Sequence, residues 1–259
     1  MKALRPYIGI TGFKTSEQVS RLAEVFAHNR KPGSDRLLHV GVMMSYRTLN
    51  KLTSRFTNVF PASDTVRDIF AVRHEGTYNC LHWADYVDDT EWTDLERAID
   101  LCGPNLDAVQ LDMTWPLPTM INRVKDMFRG RSIEFILQIG KKAIEIHHGD
   151  SGAIARVISL YGDSIDRVLL DTSMGNGIGI NHTVLADMAE AIESEAPYLG
   201  IVVAGGLGPG KTYLLGDFAQ RPGISIDAQA GLTVGRTIMD SLDLDLATQY
   251  LQEFLPILD

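Results

Sequence analysis

Asp171 stands directly behind the apolar run Val168-Leu-Leu170 and directly ahead of Thr172-Ser-Met-Gly-Asn-Gly-Ile-Gly-Ile180. A carboxyl group at the end of a buried run, with apolar walls around it, has its ionised form penalised, so it suits general-acid work near neutral pH. The glycine-rich stretch behind it can wrap a ligand. Asp112 closes Ala108-Val-Gln-Leu111 in the same manner. Two carboxylates at the ends of the fourth and sixth runs, second neighbours in order, can divide acid and base roles, or hold a divalent cation, although no third ligand is evident. His82, at the end of Tyr78-Asn-Cys-Leu-His82, is a further candidate base or hydrogen-bond donor. Each has a plainer reading: a loop or helix-capping aspartate for Asp171 and Asp112, a structural histidine for His82.

Two further run ends carry small residues instead of polar ones. Ile201-Val-Val-Ala stops at Gly205 and Gly206, and Ile224-Ser-Ile-Asp-Ala-Gln stops at Ala230 and Gly231. Small residues let backbone N–H groups approach an anion with no side chain in the way. Gly205, Gly206, Ala230 and Gly231 are therefore the candidate phosphate-binding residues, and a phosphorylated small molecule is the expected partner. The stretch Gly205-Gly-Leu-Gly-Pro-Gly-Lys-Thr212 satisfies the bare nucleotide-loop pattern GxxxxGK[ST]. Pro209 removes one of that loop's donors, and no convincing acidic strand follows. Lys14 and Lys141 raise the possibility of Schiff-base chemistry, but Lys14 sits in a polar turn, Gly12-Phe-Lys-Thr15, and a Schiff-base lysine needs apolar surroundings. His147-His148 lacks a carboxylate at ligand spacing, and Cys80 and Cys102 form no CxxC, so no metal and no cofactor is expected.

Positioning such residues requires alternating strands and helices, and the chain alternates throughout. Strands are expected over Tyr7–Thr11, Leu37–Met44, 78–82, 106–111, Glu134–Ile139, Arg167–Asp171 and in the runs beginning at Ile201 and Ile224. Apolar residues at helical spacing predict helices over 16–27, 65–72, 93–101, 119–128, 152–161, 181–195 and 242–255. Residues 47–60 are poorly patterned. Eight strand–helix repeats in 259 residues predict a single (β/α)8 barrel as one domain. In such a barrel the active site lies at the C-terminal strand ends. The polar residues there are Thr11 and Lys14, Ser45 and Arg47, His82 and Asp85, Asp112 and Thr114, Gln138 and Lys141, and Asp171 and Thr172.

A hydrophobic share of 45% and a charged share of 22% fit a globular chain that needs no disulfides for its core. The formal net charge of −9 argues against non-specific nucleic-acid binding, which needs a basic footprint. No apolar run reaches the length of a membrane span, and polar Thr11 and Lys14 interrupt any leader-like start, so no membrane association and a cytoplasmic location are expected.

The ordered run ends resemble those of phosphoribosylanthranilate isomerase, a family of (β/α)8 barrels. Tyr7-Ile-Gly-Ile-Thr11 resembles that family's opening Cys-Gly-Ile-Thr strand, Val109-Gln-Leu-Asp112 its Val-Gln-Leu-His, and Leu169-Leu-Asp-Thr172 its Leu-Leu-Asp-Thr. Gly205-Gly-Leu-Gly-Pro-Gly210 and Asp227-Ala-Gln-Ala-Gly-Leu-Thr233 resemble its last two strand ends. The resemblance implies that Asp171 is the general acid and that Gly205, Gly206, Ala230 and Gly231 bind the substrate phosphate. The family's basic cysteine, just before Gly-Ile-Thr, is Ile8 here; its strand-four histidine is Asp112 and its last-loop glutamate is Thr233. The expectation is therefore an isomerase-like enzyme on a phosphorylated sugar or phosphoribosyl compound, with Asp112 or His82 as the base. The alternatives are a non-catalytic barrel that binds a phospho-ligand, and a lysine-dependent lyase or aldolase.

Overall fold

Eight apolar runs form eight parallel strands, and each pairs with its neighbours in chain order until the eighth closes on the first. In the computed structural model, which describes residues 4–56, 58–85, 90–171 and 182–259, the order begins β1 (Tyr7–Thr11), α1 (Ser16–Asn29), β2 (Leu37–Met44), α2 (Tyr46–Leu49), α3 (Val66–Ala71) and β3 (Thr77–Asp85). It continues α4 (Trp92–Cys102), β4 (Ala108–Met113), α5 (Pro118–Met127), β5 (Glu134–Ile139), α6 (Lys141–Ile146), α7 (Ser151–Ser159), β6 (Arg167–Asp171) and α8 (His182–Glu195). It ends β7 (Gly200–Ala204), β8 (Ser225–Ala228) and α9 (Leu244–Leu258). This is the (β/α)8 barrel expected from the alternation. The bounds of β1, β2, β5 and β6 are those read from the sequence. Among the described residues no helix is long and apolar enough to cross a membrane.

Two departures matter for the site. β3 runs on to Asp85, because Trp83 and Ala84 continue the buried alternation. His82 therefore lies inside the strand and not at its end. Asp112 likewise lies within β4. The poorly patterned stretch holds the short α2, and the helix expected over 152–161 is preceded by a separate short helix, α6, opening at Lys141.

Strand alternation sorts the barrel residues into two buried sets. Ile8, Ile10, Val40, Leu81, Val109, Leu170 and Ile226 pack outward with the helices. Tyr7, Tyr78, Cys80, Ile136, Leu169 and Ala204 form a separate interior set. Helix ends are fixed locally. Thr15 and Gln18 form a reciprocal capping box on α1, and Asp150 and Asp243 cap α7 and α9.

The barrel floor is charged but paired. Arg167 donates to Glu134 at 2.9 Å, and Tyr78 donates to the same carboxylate oxygen at 2.7 Å. A second buried arginine, Arg36, ties α9 to the strands below. It pairs with Asp259 at 3.1 Å and donates to the carbonyls of Ile224 and Leu258. Cys80 and Cys102 are buried free thiols, and burial pushes both above their usual range.

Candidate active site

A cavity of about 580 Å³ opens at the C-terminal ends of the strands. Of the sequence-predicted residues, His82, Asp112, Asp171, Gly205, Gly206 and Ala230 all line it. Gly231 does not line it. Its Cα faces the loop after β7, where a Cβ would lie 2.9 Å from the Leu207 carbonyl carbon. Gly231 is thus the crossing point at which the two final loops touch. Gly205 and Gly206 both have positive φ, 116° and 68°, which only glycine adopts without strain. A short 3-10 turn over Ala230–Leu232 follows β8, and the first N–H groups of such a turn have no acceptor within it. The glycine-rich segment 175–179 and Thr172 lie outside the described residues.

The nucleotide-loop reading of 205–212 fails on geometry. No α-helix opens after Lys211; a kinked 3-10 segment, Thr212–Gln220, follows instead. The Gly210 N–H is already given to Glu253 at 2.6 Å. The lysine readings also weaken. Lys14 Nζ donates to the Asn58 carbonyl at 2.8 Å, on the exterior. Lys141 does line the cavity, but its side chain is half exposed and lies 3.7 Å from Glu145. It lacks the apolar surroundings that a nucleophilic lysine needs. His147 also lines the cavity and packs on Trp115 at 5.9 Å between ring centroids.

The residue that sequence reading missed is Asp227. It lines the cavity and is only 6% exposed. Burial, with a further push from the nearby Asp171, lifts its carboxyl to about 7, against the opposing pull of hydrogen bonds from Thr11 and the Ala228 N–H. The Thr11 hydroxyl lies 3.2 Å from both carboxylate oxygens. The register explains the pairing with Asp171: Asp171 aligns with Ala204, and Ala204 with Asp227. The two residues thus stand at one level of the barrel, their Cα atoms two strand spacings or about 9–10 Å apart along the sheet. A signal for Asp227 existed in the alternation Ser225-Ile-Asp-Ala228, where Ile226 faces the helices.

Below Thr11 lies a pair of imidazoles. His82 Nε2 is 3.3 Å from Thr11 Oγ1 and 2.8 Å from His39 Nε2. One proton lies between the two nitrogens. Burial lowers the pKa of His82 to about 3, and burial and the neighbouring His82 hold that of His39 well below its usual range. Both imidazoles are therefore neutral, and His82 is a poor proton acceptor for the cavity. Cys80 completes a trio whose donor atoms lie within 4.8 Å of one another. The 2.8 Å nitrogen separation is that of a hydrogen bond, closer than the about 3.3 Å that two imidazoles adopt on a tetrahedral zinc with 2.0–2.1 Å bonds.

The position of the family's cysteine also acquires a structural meaning. Ile8 is fully buried on the helix-facing side of β1. The next residue, Gly9, faces the interior, where a Cβ would lie 2.9 Å from Asp227 Cγ.

No protein-family model matches the chain, and no curated protein matches its sequence. Solved structures do match its fold. Phosphoribosyl anthranilate isomerase from Thermus thermophilus is 16% identical over 99% of this chain and 100% of its own, with a TM-score of 0.65. The enzyme of that name from Thermotoga maritima is 16% identical over 96% of this chain and 98% of its own, with a TM-score of 0.64. A third, in complex with reduced 1-(o-carboxyphenylamino)-1-deoxyribulose 5-phosphate, is 15% identical over 96% and 98%, with a TM-score of 0.60. At these identities the likeness is one of fold: the chain is a (β/α)8 barrel built like those of phosphoribosylanthranilate isomerases.

Proposed function

We propose that this protein is an isomerase acting by proton transfer on a phosphorylated sugar or phosphoribosyl compound at the mouth of its barrel. The observation that carries this reading is the placement of Asp171, Gly205, Gly206 and Ala230 around one cavity, with apolar Leu169 and Ala204 between them. The phosphate is held by backbone N–H groups of the loops after β7 and β8, at which Gly231 permits the close crossing. The remainder of the substrate then lies across the barrel axis toward Asp171. Moving a hydrogen between adjacent sugar carbons requires one group to protonate oxygen and another to take a proton from carbon. Asp171, half-buried at the end of β6, is the acid in this reading. The bound ligand of the structurally similar isomerase is a ribulose 5-phosphate derivative, which supports the substrate class.

The test is a turnover screen with phosphoribosylanthranilate and with aldose and ketose 5-phosphates, run on the native protein and on Asp171→Asn. Turnover of at least one, lost in Asp171→Asn while binding of reduced carboxyphenylamino-deoxyribulose 5-phosphate persists, is the expected result. Unchanged turnover in Asp171→Asn refutes the role of Asp171. A ligand that binds while the whole panel stays unturned replaces the isomerase with a non-catalytic binding barrel.

A further inference from the structure

An isomerase site built on Asp171 needs a partner that takes a proton from carbon, and neither sequence candidate meets that need well. His82 is held neutral, with its Nε2 engaged by His39 and Thr11. Asp112 is on β4, two strands from Asp171 on the side away from the final loops. Asp85 on β3 and Glu145 on α6 also line the cavity, but the carboxylate that the strand register sets level with Asp171 is Asp227.

We propose that Asp227 is the base of the proton transfer, seated in the space that Gly9 leaves open, with Thr11 as its positioning residue. This rests on the reading of the barrel mouth given above. Three independent features of the geometry support it. First, any side chain on residue 9 would overlap the Asp227 carboxylate, so a glycine here is what admits that carboxylate to the interior. Second, Thr11 lies equidistant from the two carboxylate oxygens, and its own space is kept by another glycine: a Cβ on Gly41 would lie 3.0 Å from both the Thr11 Cα and His82 Nε2. Third, the strand register sets Asp227 level with Asp171, with only Ala204 between them. A substrate carbon lying over Ala204 is then flanked by both carboxyl groups.

The step balances with these two groups alone, the pair entering it with one shared proton, held on Asp171. Ionised Asp227 removes the proton from the carbon next to the carbonyl, and that C–H electron pair becomes the carbon–carbon double bond of an enediol. The carbonyl π pair moves to oxygen, which takes a proton from Asp171. Collapse in the other sense returns the proton from Asp227 to the neighbouring carbon, and Asp171 recovers a proton from the second oxygen. No oxidant or metal takes part. Burial serves the base, because a carboxylate that titrates near the working pH accepts a proton more readily than an exposed one. The titratable groups whose charges act on or are acted on by Asp227 are Asp171 on β6, Tyr7 on β1, Cys80 on β3 and Tyr250 on α9, while His82 on β3 reaches it only through Thr11.

The experiment compares Asp227→Asn, Thr11→Val, Thr11→Ser and Asp171→Asn with the native protein on whichever panel substrate is turned over. Affinity for reduced carboxyphenylamino-deoxyribulose 5-phosphate is measured alongside. Asp227→Asn is expected to lower kcat by about 10²–10⁴-fold, the usual worth of a positioned proton-transfer group, with ligand affinity kept within about threefold. In the native protein, kcat/KM is expected to fall as pH drops through about 7. Thr11→Val removes the hydrogen bond that favours the ionised carboxylate, so this limb moves to higher pH; Thr11→Ser restores it. Loss of turnover in Asp171→Asn with near-native kcat in Asp227→Asn overturns the base assignment and leaves the isomerase reading standing. A limb unmoved in Thr11→Val also overturns it, and that variant carries the test should Asp227→Asn fail to fold. A native protein that turns over nothing in the panel removes the isomerase reading itself, and the base with it.

Discussion

Gly9 and Asp227 share one space inside the barrel: a methyl group on residue 9 would lie 2.9 Å from the Asp227 carboxyl carbon and 3.0 Å from the Ile226 carbonyl oxygen. The carbonyl oxygen belongs to a paired strand and cannot retreat. The carboxyl group would have to rotate away from Thr11. Gly9→Ala is therefore expected to cost about 1–3 kcal/mol of unfolding free energy, the range for forcing an extra methyl into a packed core. Urea denaturation at pH 7 measures it. A variant as stable as the native protein would mean that the carboxylate does not occupy this space.

Asp227 also makes stability depend on pH, and the sign is determinate. Its folded pKa of about 7 is above the unfolded value near 4. The native state therefore binds the extra proton between these values, so the stability it confers is complete below pH 4 and is lost as pH rises to about 7. Asp227→Asn removes the penalty. Its stability relative to the native protein is expected to rise by a few kcal/mol, on the order of 1.4 kcal/mol per pH unit, between pH 4 and 7 and to level off above. Denaturation curves at pH 4.5, 6 and 8 read this directly; a constant difference would assign the titration elsewhere.

His82 acts in the opposite sense. Burial holds its folded pKa near 3, below the unfolded value of about 6.5. Its neutral form stabilises the fold above pH 6.5, and that contribution drains away as pH falls toward 3. His82→Gln keeps a polar side chain beside Thr11 and His39 but cannot take up the proton. The variant is expected to lose stability at pH 7 and to show a shallower decline between pH 6 and 4 than the native protein. Parallel acid-unfolding curves would refute the assignment.

The strands were legible in the sequence wherever both faces are buried, since continuous runs such as Leu37–Met44 and Glu134–Ile139 have few other uses in an alternating chain. Asp171 was legible because the apolar run stops at it. Asp227 was harder to read, because Ile226 and Ala228 continue the apolar pattern past it. Its inward direction follows only from the phase of β8, and its room only from a glycine more than 200 positions earlier in the chain. His82 was read as a strand end because the continuation through Trp83 and Ala84 is fixed by pairing with β4, which places Trp83 beside Leu111.

Arg36 is the polar clasp between α9 and the lower barrel. The residue is 3% exposed, and its guanidinium serves the Asp259 carboxylate together with carbonyls from β1, the segment before β8, and α9. Removing one member of a buried ion pair strands the other, which costs about 3–5 kcal/mol. Arg36→Ala is expected to lose stability on that scale in urea denaturation, with amide exchange in α9 accelerated first. Arg36→Lys supplies charge without the fork of donors and should recover only part of the loss. Full recovery by lysine would show that charge alone closes the clasp.

If the final loops hold a phosphate as proposed, Gly231 is the position that separates its binding from folding. A Cβ at this position would run into the Leu207 carbonyl group and lie 3.2 Å from the Gly208 Cα, so the two final loops could no longer cross closely. The strands themselves end before the crossing, at Ala204 and Ala228. Gly231→Ala should therefore leave the barrel folded while moving the N–H groups at Ala230 and Gly206 out of register with one another. Because N–H donors at an anion site act jointly, even a small displacement weakens them together. The expected outcome is a loss of at least about tenfold in affinity for reduced carboxyphenylamino-deoxyribulose 5-phosphate, about 1.4 kcal/mol, with near-native circular dichroism. Titration calorimetry decides it. The same experiment with the unphosphorylated sugar portion should show no difference between variant and native protein, since in the proposed reading the crossing bears on the phosphate alone. An equal loss for both ligands would place the phosphate elsewhere in the cavity and reassign Gly205, Gly206 and Ala230 to the structure of the loops.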